Sequence, residues 1–431
     1  MPGRVLVIGA YGLIGGYVTT RLVREGYEVI GSGRSVTVAA RRLPMVQWVR
    51  ADLGRARPEE WARLAEGADA VVNCAGALQD GPRDDLQAAH VEGFARLLEG
   101  CSSARVGRFV QISAVGVDEG GGAFRQTKRR AEAALEASDL DWIVLRPGLV
   151  LAPAAYGGSA LLRGLAAWPG RIPALHPDRP VQTVSVEDVA EGVVRALRVP
   201  SGRKAVCDLV ADEATTLGDV LKALRAWLGL ADRPIREVPA GLGRLAALCA
   251  NLLALAGWRS PLRSATLDQL AAGVTGRADS APRVLGFRPR KLADTLAAWP
   301  AGVQERWFAR LYFLKPLSLA TLVMFWAVSG LVGLFQRSEA GAHLVQAGFA
   351  PWAAMALVTA GSLLDLLLAV MVAFRGTAAT GLRGMILLTL AYLLAATIWT
   401  SQLWADPLGP LVKSLPCAVL ALVALAMMDE R

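Results

Sequence analysis

The sequence predicts an α/β fold with a doubly wound parallel sheet, followed by an all-α membrane bundle. An apolar run over 5–8 leads at once into a glycine-rich turn and a helix-like stretch, and further strand-length apolar segments follow it. After about residue 317, four long apolar runs succeed one another. We therefore expect two or three domains within the 431 residues.

The first predicted strand ends in a turn that carries Gly9, Gly12 and Gly15. Glycine suits these positions because the chain must turn sharply, approach a pyrophosphate and pack a helix tightly against the sheet. The N–H groups of the first helical turn then face the anion. The turn therefore predicts a Rossmann-like dinucleotide site. Besides the three glycines, Tyr11, Leu13 and Ile14 of this turn are predicted to contact the dinucleotide.

The ends of the next strands indicate how a dinucleotide would be held. Arg34 follows the second strand, where an NAD-selective fold usually carries an acidic residue, and an arginine there favours NADP(H) over NAD(H). Asp52 and Leu53 follow the third apolar segment, where a carboxylate can accept a hydrogen bond from an adenine amino group. A buried strand over 71–73 then opens into a small-residue turn formed by Cys74, Ala75 and Gly76.

Several ordered motifs together resemble an atypical or extended short-chain dehydrogenase/reductase, of the NAD-dependent epimerase/dehydratase type. The resemblance covers roughly residues 1–300 and rests on the three glycines, Asn-Cys-Ala-Gly at 73–76, Gln-Ile-Ser-Ala at 111–114, Arg-Pro-Gly at 146–148 and Val-Glu-Asp-Val-Ala at 186–190. It implies an NAD(P)-binding fold with a small substrate lobe and a cofactor contact from Pro147. In that family a tyrosine, a lysine four residues later and a serine on the preceding strand carry out the acid–base chemistry.

The chain departs from this pattern at the tyrosine. Phe124 stands in its place, with Lys128 in register and Ser113 as the matching serine, and phenylalanine has no proton to give. His90 replaces an asparagine that often supports the proton relay in the family, and it is either a substitute proton donor or a structural residue. Tyr156, in a glycine-rich loop, is a second candidate donor. We expect Lys128 to bind the nicotinamide ribose, with the ordinary mechanism impaired or absent.

Composition narrows the class of partner. Five scattered cysteines and only three histidines predict neither a disulfide framework nor a metal site. The net charge of +9 fits contact with anionic lipid, and no motif or basic patch interleaved with aromatic residues indicates nucleic-acid binding. We therefore expect a lipid bilayer as partner, with no nucleic acid and no metal.

The apolar C-terminal part predicts four transmembrane helices, over 317–335, 351–374, 384–404 and 408–428. Each run is long enough to cross about 30 Å of hydrocarbon; a buried soluble bundle is the alternative. The arrangement resembles the DoxX-like family, and because some distant members are associated with quinone chemistry, the resemblance implies a lipid-soluble acceptor. Asp365 lies mid-span, where a carboxylate marks either a proton or quinone site or a structural interhelical hydrogen bond.

Flanking charges predict the orientation of these helices. Basic residues before the first span and between the second and third outnumber those of the other two loops: Arg306, Arg310, Lys315, Arg375 and Arg383. The positive-inside rule then makes both termini and the nucleotide domain cytoplasmic, in a multi-pass protein of the inner (plasma) membrane. The first apolar segment is a short strand, so we expect no signal peptide.

The predicted domains are a dinucleotide-binding domain over 1–235, substrate-lobe helices and a linker over 236–310, and a membrane domain over 311–431. Residues 240–258 repeat apolar side chains at helical spacing with the single charge of Arg244. This segment is predicted to be either a core helix of the substrate lobe or a membrane-facing lid.

Three functions remain open at this point. The first is an NADP(H)-dependent oxidoreductase acting on an apolar or membrane-borne substrate such as a quinone or a lipid carbonyl. The second is a non-catalytic NADP(H)-binding regulator, and the third is an assembly or accessory subunit of a membrane protein complex. The fold alone does not choose among them.

Overall fold

A computed structural model describes residues 3–76, 81, 85–119, 121–258, 260–262, 271–407 and 409–428. The chain forms two compact units. The first, the α/β unit, comprises Met1–Asn251 with Ser260–Ala309; the second, the helical unit, comprises Leu252–Arg259 with Arg310–Arg431.

The α/β unit is built on a seven-stranded sheet in which every pair of neighbours runs parallel, in the order β11-β6-β5-β4-β1-β2-β3. The strands are β1 Arg4–Ile8, β2 Glu28–Gly33, β3 Gln47–Arg50, β4 Ala70–Asn73, β5 Arg108–Ile112, β6 Trp142–Pro147, β7 Leu149–Leu151, β8 Ile172–Ala174, β9 Pro180–Val181, β10 Thr183–Ser185, β11 Ala205–Leu209, β12 Thr215–Thr216 and β13 Ile235–Glu237. The predicted doubly wound parallel sheet is confirmed.

The helices of this unit cover both faces of the sheet. They are α1 Leu13–Arg24, α2 Thr37–Arg42, α3 Pro58–Ala65, α4 Gly93–Ser103, α5 Ala123–Glu136, α6 Gly157–Ala166, α7 Val186–Arg198, α8 Leu217–Trp227, α9 Ala240–Leu255, α10 Ser280–Leu285 and α11 Leu292–Ala297. Short helical turns over 88–92 and 117–119 precede α4 and α5. Helix α9 crosses the division between the two units, with Leu252 as the first residue of the helical unit.

Alternating side chains of the central strands supply two separate cores. Val5 and Val7 of β1 pack with residues of α1 and α7, whereas Leu6 and Ile8 pack with residues of α3, α4 and α5. This follows from the period of two along a strand, which sends successive side chains to opposite faces. A third core joins α6, α8 and α11 with the short strands.

The helical unit contains α12 Val303–Phe335, whose first residues lie in the α/β unit, and then α13 Arg337–Gln346, α14 Pro351–Ala373, α15 Ala378–Trp399 and α16 Ser414–Ala426. Among the described residues, α12, α14 and α15 are long and apolar enough to cross a membrane. The predicted all-α membrane part is therefore confirmed, with three candidate spanning helices.

The fourth predicted span differs from the structure. Its first residue, Leu408, lies outside the described residues, and its helix, α16, has 13 residues, or about 20 Å. That length is short of the roughly 30 Å of a hydrocarbon core. Gly409 has φ +60°, and the helix itself begins only at Ser414.

Candidate dinucleotide-binding site

The predicted site residues lie at the switch point of the sheet, between β1 and β4, where the order of the strands reverses. β1 lies between β2 and β4, so the chain leaves the sheet in opposite directions at the carboxyl ends of β1 and β4. Ligands of doubly wound folds bind in the crevice at such a point. Gly9 follows β1, Cys74 follows β4 and Ser113 follows β5, which places all three at this edge.

The glycine turn requires its glycines for steric reasons. Gly9 has φ +72°, and an added Cβ would lie 2.9 Å from the Cα and N atoms of Ala75. A Cβ on Gly15 would overlap the Gly9 carbonyl oxygen. Gly12 caps α1 without a side-chain hydrogen bond, and the first turn of α1 contains no acidic residue. The start of α1 thus has the free backbone and the positive dipole end that favour a phosphate.

Arg34 lies beside this turn. A Cβ on Gly33 would overlap the Tyr11 ring, and the Ser35 N–H donates a 3.3 Å hydrogen bond to the Tyr11 hydroxyl. The end of β2 is therefore packed directly on the glycine turn, and Arg34, which is exposed, stands between these two contacts in sequence. Arg34 is therefore adjacent to the predicted dinucleotide turn.

Asp52 and Leu53 follow β3, and both make contacts within the protein. The Asp52 Oδ1 atom accepts a 3.1 Å hydrogen bond from the Gly54 N–H, which closes a tight turn. The carboxylate remains 39% exposed, whereas Leu53 is buried in the core. The structure thus leaves one face of the Asp52 carboxylate accessible to a ligand.

Lys128, His90 and Gly76 converge at one point. The Lys128 ammonium donates a 3.0 Å hydrogen bond to the carbonyl of Ile112, the last residue of β5. A Cβ on Gly76 would lie 3.2 Å from Lys128 Nζ and 3.1 Å from His90 Nε2. Burial lowers the pKa of Lys128 to about 8, and the nearby Glu132 carboxylate partly opposes that shift.

Arg146 holds the helix that carries Lys128. Its guanidinium forms an ion pair with Glu132, which is fully buried one turn beyond Lys128 on α5, and a 2.5 Å contact with Asp118. The Arg146 guanidinium lowers the pKa of the Asp118 carboxyl. Because Arg146 belongs to β6, these pairs tie α5 to the sheet and orient the Lys128 side chain.

Phe124 and His90 pack against each other beside Lys128. Their rings meet edge to face at 5.9 Å between centroids, and Phe124 is 9% exposed. The Thr127 hydroxyl donates to the Phe124 carbonyl at 3.1 Å, so it accepts from His90 Nδ1 at 3.0 Å, and this assigns the imidazole proton to Nδ1. Burial, reinforced by the Lys128 ammonium, lowers the pKa of His90 to about 2, so the ring is neutral at pH 7.

Ser113 contributes a buried hydroxyl to this edge of the sheet. The side chain is 6% exposed, and its Oγ atom has no hydrogen-bond partner among the described residues. Its backbone N–H donates to the Leu145 carbonyl at 2.7 Å, which fixes Ser113 at the end of β5. Buried hydroxyls normally have partners, and an unpartnered one at the ligand-binding edge fits an oxygen of a ligand.

The turn over 74–76 depends on two residues that the sequence did not single out as site residues. Asn73 donates from Nδ2 to Gln111 Oε1 at 2.9 Å and accepts from the Ala75 N–H at 3.1 Å. Burial raises the pKa of the Cys74 thiol to about 12, which keeps that thiol protonated. Thr127 is a further missed residue, and its only sequence signal is its position beside Lys128 on the same helix.

Tyr156 lies outside this buried group. It caps α6, where Ser159 Oγ donates to its carbonyl at 2.9 Å, and it is 45% exposed. Pro147 ends β6, and its carbonyl accepts from the Val115 N–H at 3.2 Å. The structure therefore brings Lys128, His90 and Phe124 together, whereas Tyr156 lies at the exposed N-terminus of α6.

Asp365 occupies a separate polar site within the helical unit. Its Oδ1 atom accepts a 3.0 Å hydrogen bond from the Tyr392 hydroxyl of α15, and its Oδ2 atom accepts one of 3.0 Å from the Ser329 hydroxyl of α12. Asp365 itself belongs to α14 and is 5% exposed. The carboxylate thus links the three longest apolar helices.

Sequence comparison assigns the two parts of the chain separately. Residues 9–200 match the NAD(P)H-binding family, and residues 323–422 match the DoxX-like family. An uncharacterised protein of Mycobacterium tuberculosis is 28% identical over 205 residues, a match that spans 45% of this chain and 20% of that protein. An uncharacterised sugar epimerase of Bacillus subtilis is 27% identical over 174 residues, which are 39% of this chain and 74% of the epimerase.

Solved structures agree in fold. MoeE5 in complex with UDP-glucose and NAD superimposes with a TM-score of 0.54 at 21% identity, over 72% of this chain and 100% of that chain. The UDP-glucuronic acid 4-epimerase of Bacillus cereus, in complex with UDP-glucuronic acid and NAD, gives a TM-score of 0.53 at 17% identity, over 72% of this chain and 99% of that chain. The chain therefore carries an NAD(P)H-binding domain with the fold of these enzymes, joined to a C-terminal DoxX-like domain.

Proposed function

We propose that this protein is a membrane-anchored, NADP(H)-dependent oxidoreductase of short-chain dehydrogenase type that acts on an apolar or membrane-borne substrate. The observation that carries the proposal is the convergence of three features at one edge of the sheet. They are a buried lysine, a glycine turn and a buried serine hydroxyl that has no partner among the described residues. A buried cation is costly to maintain, and such groups concentrate at functional sites. The membrane part of the proposal rests on the DoxX-like domain with its apolar helices.

Each residue of the site has a distinct role in this proposal. The Lys128 ammonium binds a ribose hydroxyl of the dinucleotide, and the Ser113 hydroxyl donates a hydrogen bond to the substrate oxygen that is being reduced. When bound, the nicotinamide supplies or accepts the hydride. Phe124 excludes water from one side of Lys128 and supplies no proton.

The missing acid favours a substrate that needs little proton assistance. Reduction of a ketone by hydride leaves an alkoxide, which is a strong base and needs an adjacent acid. Reduction of a quinone leaves an aryloxide, whose conjugate acid is a phenol with a pKa near 10, as in tyrosine. An aryloxide persists long enough to take its proton from water. A quinone is therefore the preferred substrate class, and a lipid carbonyl would require Tyr156 or solvent as the acid.

His90 is best assigned a positioning role. Its neutral ring holds its only proton in the hydrogen bond to Thr127, so it is poorly suited to act as a general acid at pH 7. Its edge-to-face contact orients Phe124, and its Nε2 atom faces the same point as Lys128.

We also propose NADP(H) as the preferred dinucleotide and the cytoplasmic leaflet as the location of the α/β unit. Arg34 beside the glycine turn, with no acidic residue in 32–35, supports the first assignment. The second is supported by Arg375 between α14 and α15, where positive charge marks the cytoplasmic side of a multi-pass inner-membrane protein.

The second candidate is a non-catalytic NADP(H)-binding regulatory or assembly subunit of a membrane complex. Phe124 and the neutral His90 favour this second candidate, because neither side chain can donate a proton to a substrate bound beside Lys128. In this case dinucleotide binding would stabilise the α/β unit without turnover.

Titration of the full-length protein in detergent with NADPH and NADH, followed by nicotinamide fluorescence, separates these candidates. NADPH oxidation is then measured with a quinone, a long-chain aldehyde and no acceptor, in the wild type and in Phe124→Tyr. Quinone-dependent oxidation in the wild type supports the enzyme. Tight binding without turnover in either variant supports the regulatory subunit, and absence of binding contradicts both.

A further inference from the structure

Helix α9 exposes its large apolar side chains. Leu242, Leu245, Leu248, Leu252 and Leu253 are each 52–59% exposed. A surface helix of a soluble protein shows the reverse pattern, with its leucines buried and its polar residues outside. The leucines of α9 therefore face an apolar surrounding that this chain's described residues do not supply.

The buried side of α9 consists of small residues. Four positions spaced three or four apart are buried: Gly243, Ala247, Ala250 and Ala254. A Cβ on Gly243 would lie 2.7 Å from a methyl carbon of Leu175, so the helix backbone is already in close contact there. With 3.6 residues per turn, Leu245, Leu248 and Leu252 fall on the opposite side.

The polar residues of α9 lie between these two sides. Arg244 is the only charged residue in Ala240–Leu255, and Asn251 falls seven residues later on the same flank. An interfacial helix normally places a polar face away from the lipid. In α9 the side opposite the leucines consists of small residues packed against the protein, so Arg244 is the charged side chain that must reach the headgroups.

The segment that follows α9 is hydrogen-bonded to the end of α14 and the loop after it, and these segments carry residue types found at a membrane–water interface. The Trp258 indole N–H donates to the Ala373 carbonyl at the end of α14 (2.7 Å), and the Arg375 N–H donates to the Ala256 carbonyl (2.9 Å). The Arg375 guanidinium lies 5.7 Å from the Trp258 ring and donates to the Met428 carbonyl. Tryptophan and arginine at the end of a long apolar helix are typical of the membrane–water interface.

We propose that α9 lies in the bilayer interface at the level of Arg375, with its leucine side in the acyl chains and Arg244 toward the headgroups. Its 16 residues span about 24 Å, which is too short to cross the hydrocarbon core and suits a helix in the interface. We infer lipid, and not a second protein, against the leucine side, because Ala256 and Trp258 are hydrogen-bonded to the end of an apolar helix and the loop after it. The inference rests on the membrane placement proposed above and adds a second point of attachment to it.

Cys249 provides a native probe of this placement, because it is exposed on α9 between the leucines. The full-length protein, with the partly exposed Cys417 replaced by serine here and in the variants below, is labelled at Cys249 with an environment-sensitive nitrobenzoxadiazole maleimide and placed in phosphatidylcholine–phosphatidylglycerol vesicles. The vesicles carry nitroxide either near the carbonyl end or near the methyl end of the acyl chains. We expect the Cys249 label to lose about half its emission with the shallow nitroxide and less with the deep one.

Two variants in a Cys249→Ser background calibrate the experiment. Leu363→Cys lies near the middle of α14 and is 54% exposed, so its label should be quenched more by the deep nitroxide. Val38→Cys on α2 is 56% exposed, which matches the exposure of the α9 leucines, and should be unquenched.

Three outcomes overturn the inference. Quenching at Leu363→Cys without quenching at Cys249 shows a membrane-embedded protein whose α9 lies in water. Loss of quenching at both contradicts the membrane placement together with the inference. Disulfide-linked dimers through Cys249, formed without quenching, assign the leucine side to a second copy of the chain.

Discussion

The α/β unit and the helical unit each bury a charged side chain, but they satisfy it differently. Lys128 is held by one carbonyl beside a serine hydroxyl that has no partner among the described residues, and its burial lowers its pKa to about 8. Asp365 accepts one hydroxyl on each carboxylate oxygen. The first arrangement leaves interactions for a ligand to complete, whereas the second is complete within the protein. This difference favours a binding role for Lys128 and a structural role for Asp365.

The largest expected effect is that of Lys128→Met on dinucleotide binding. Loss of a charge-assisted hydrogen bond should weaken NADPH binding by about 1.5–3 kcal/mol, or roughly 10- to 160-fold. The same variant should raise the melting temperature of the ligand-free protein, because it removes a buried charge. Fluorescence titration and thermal unfolding measure the two changes, with exposed Lys222→Met as the control. Unchanged affinity would place the dinucleotide elsewhere.

The lowered pKa of Lys128 adds a pH dependence to this prediction. Between pH 8 and the ordinary lysine value of 10.5, the unfolded chain binds the proton that the folded chain has lost. The wild-type protein should therefore gain stability with rising pH over that window, relative to Lys128→Met, while its affinity for NADPH falls.

The second effect tests cofactor choice at the other end of the same site. Arg34→Ala should weaken NADPH by about 1.5–3 kcal/mol and leave NADH nearly unchanged, because only NADPH carries the 2′-phosphate. The ratio of the two dissociation constants is the measurement, and Arg236→Ala, exposed on β13, is the control. Equal weakening of both dinucleotides would refute the assignment of Arg34.

The third effect concerns the neutral state of His90. Its folded pKa is about 2 and its ordinary value 6.5, so the folded protein binds fewer protons between these values, and stability falls as the pH drops below 6.5. By pH 5 the loss amounts to roughly 2 kcal/mol. His90→Asn should remove this part of the acid sensitivity, and exposed His343→Asn should not. Parallel pH profiles of His90→Asn and the wild type would contradict the neutral ring.

The smallest effect is expected of Asp365→Asn, within the helical unit. Asp365→Leu leaves the Ser329 and Tyr392 hydroxyls without their acceptor, at a cost of about 0.6–1.7 kcal/mol for each hydrogen bond. Asp365→Asn retains an acceptor oxygen and should lose less stability, with NADPH oxidation unchanged. If Asp365→Asn instead abolishes oxidation at unchanged melting temperature, the carboxylate is a proton or quinone site and the contrast with Lys128 fails.

Local motifs and long apolar runs were predictable from the sequence. The glycine turn, the position of Arg34 and the register of Lys128 with Phe124 depend on short spacings, and the apolar helices depend on hydropathy along the chain. Contacts between distant residues were not predictable in this way. Thr127 determines the tautomer of His90 from 37 residues away, and Asn73 meets Gln111 only because β4 and β5 are neighbours.

The sequence by itself determined that a dinucleotide turn is joined to apolar helices, because those signals are local and each depends on a few consecutive residues. Only the tertiary structure decided that α16 is shorter than a membrane span and that α9 turns its leucines outward. Helical periodicity shows which residues share a side of a helix, but the neighbours that pack against it decide which side is covered. The small residues of α9 permit the close approach at Leu175, and the leucines then remain exposed.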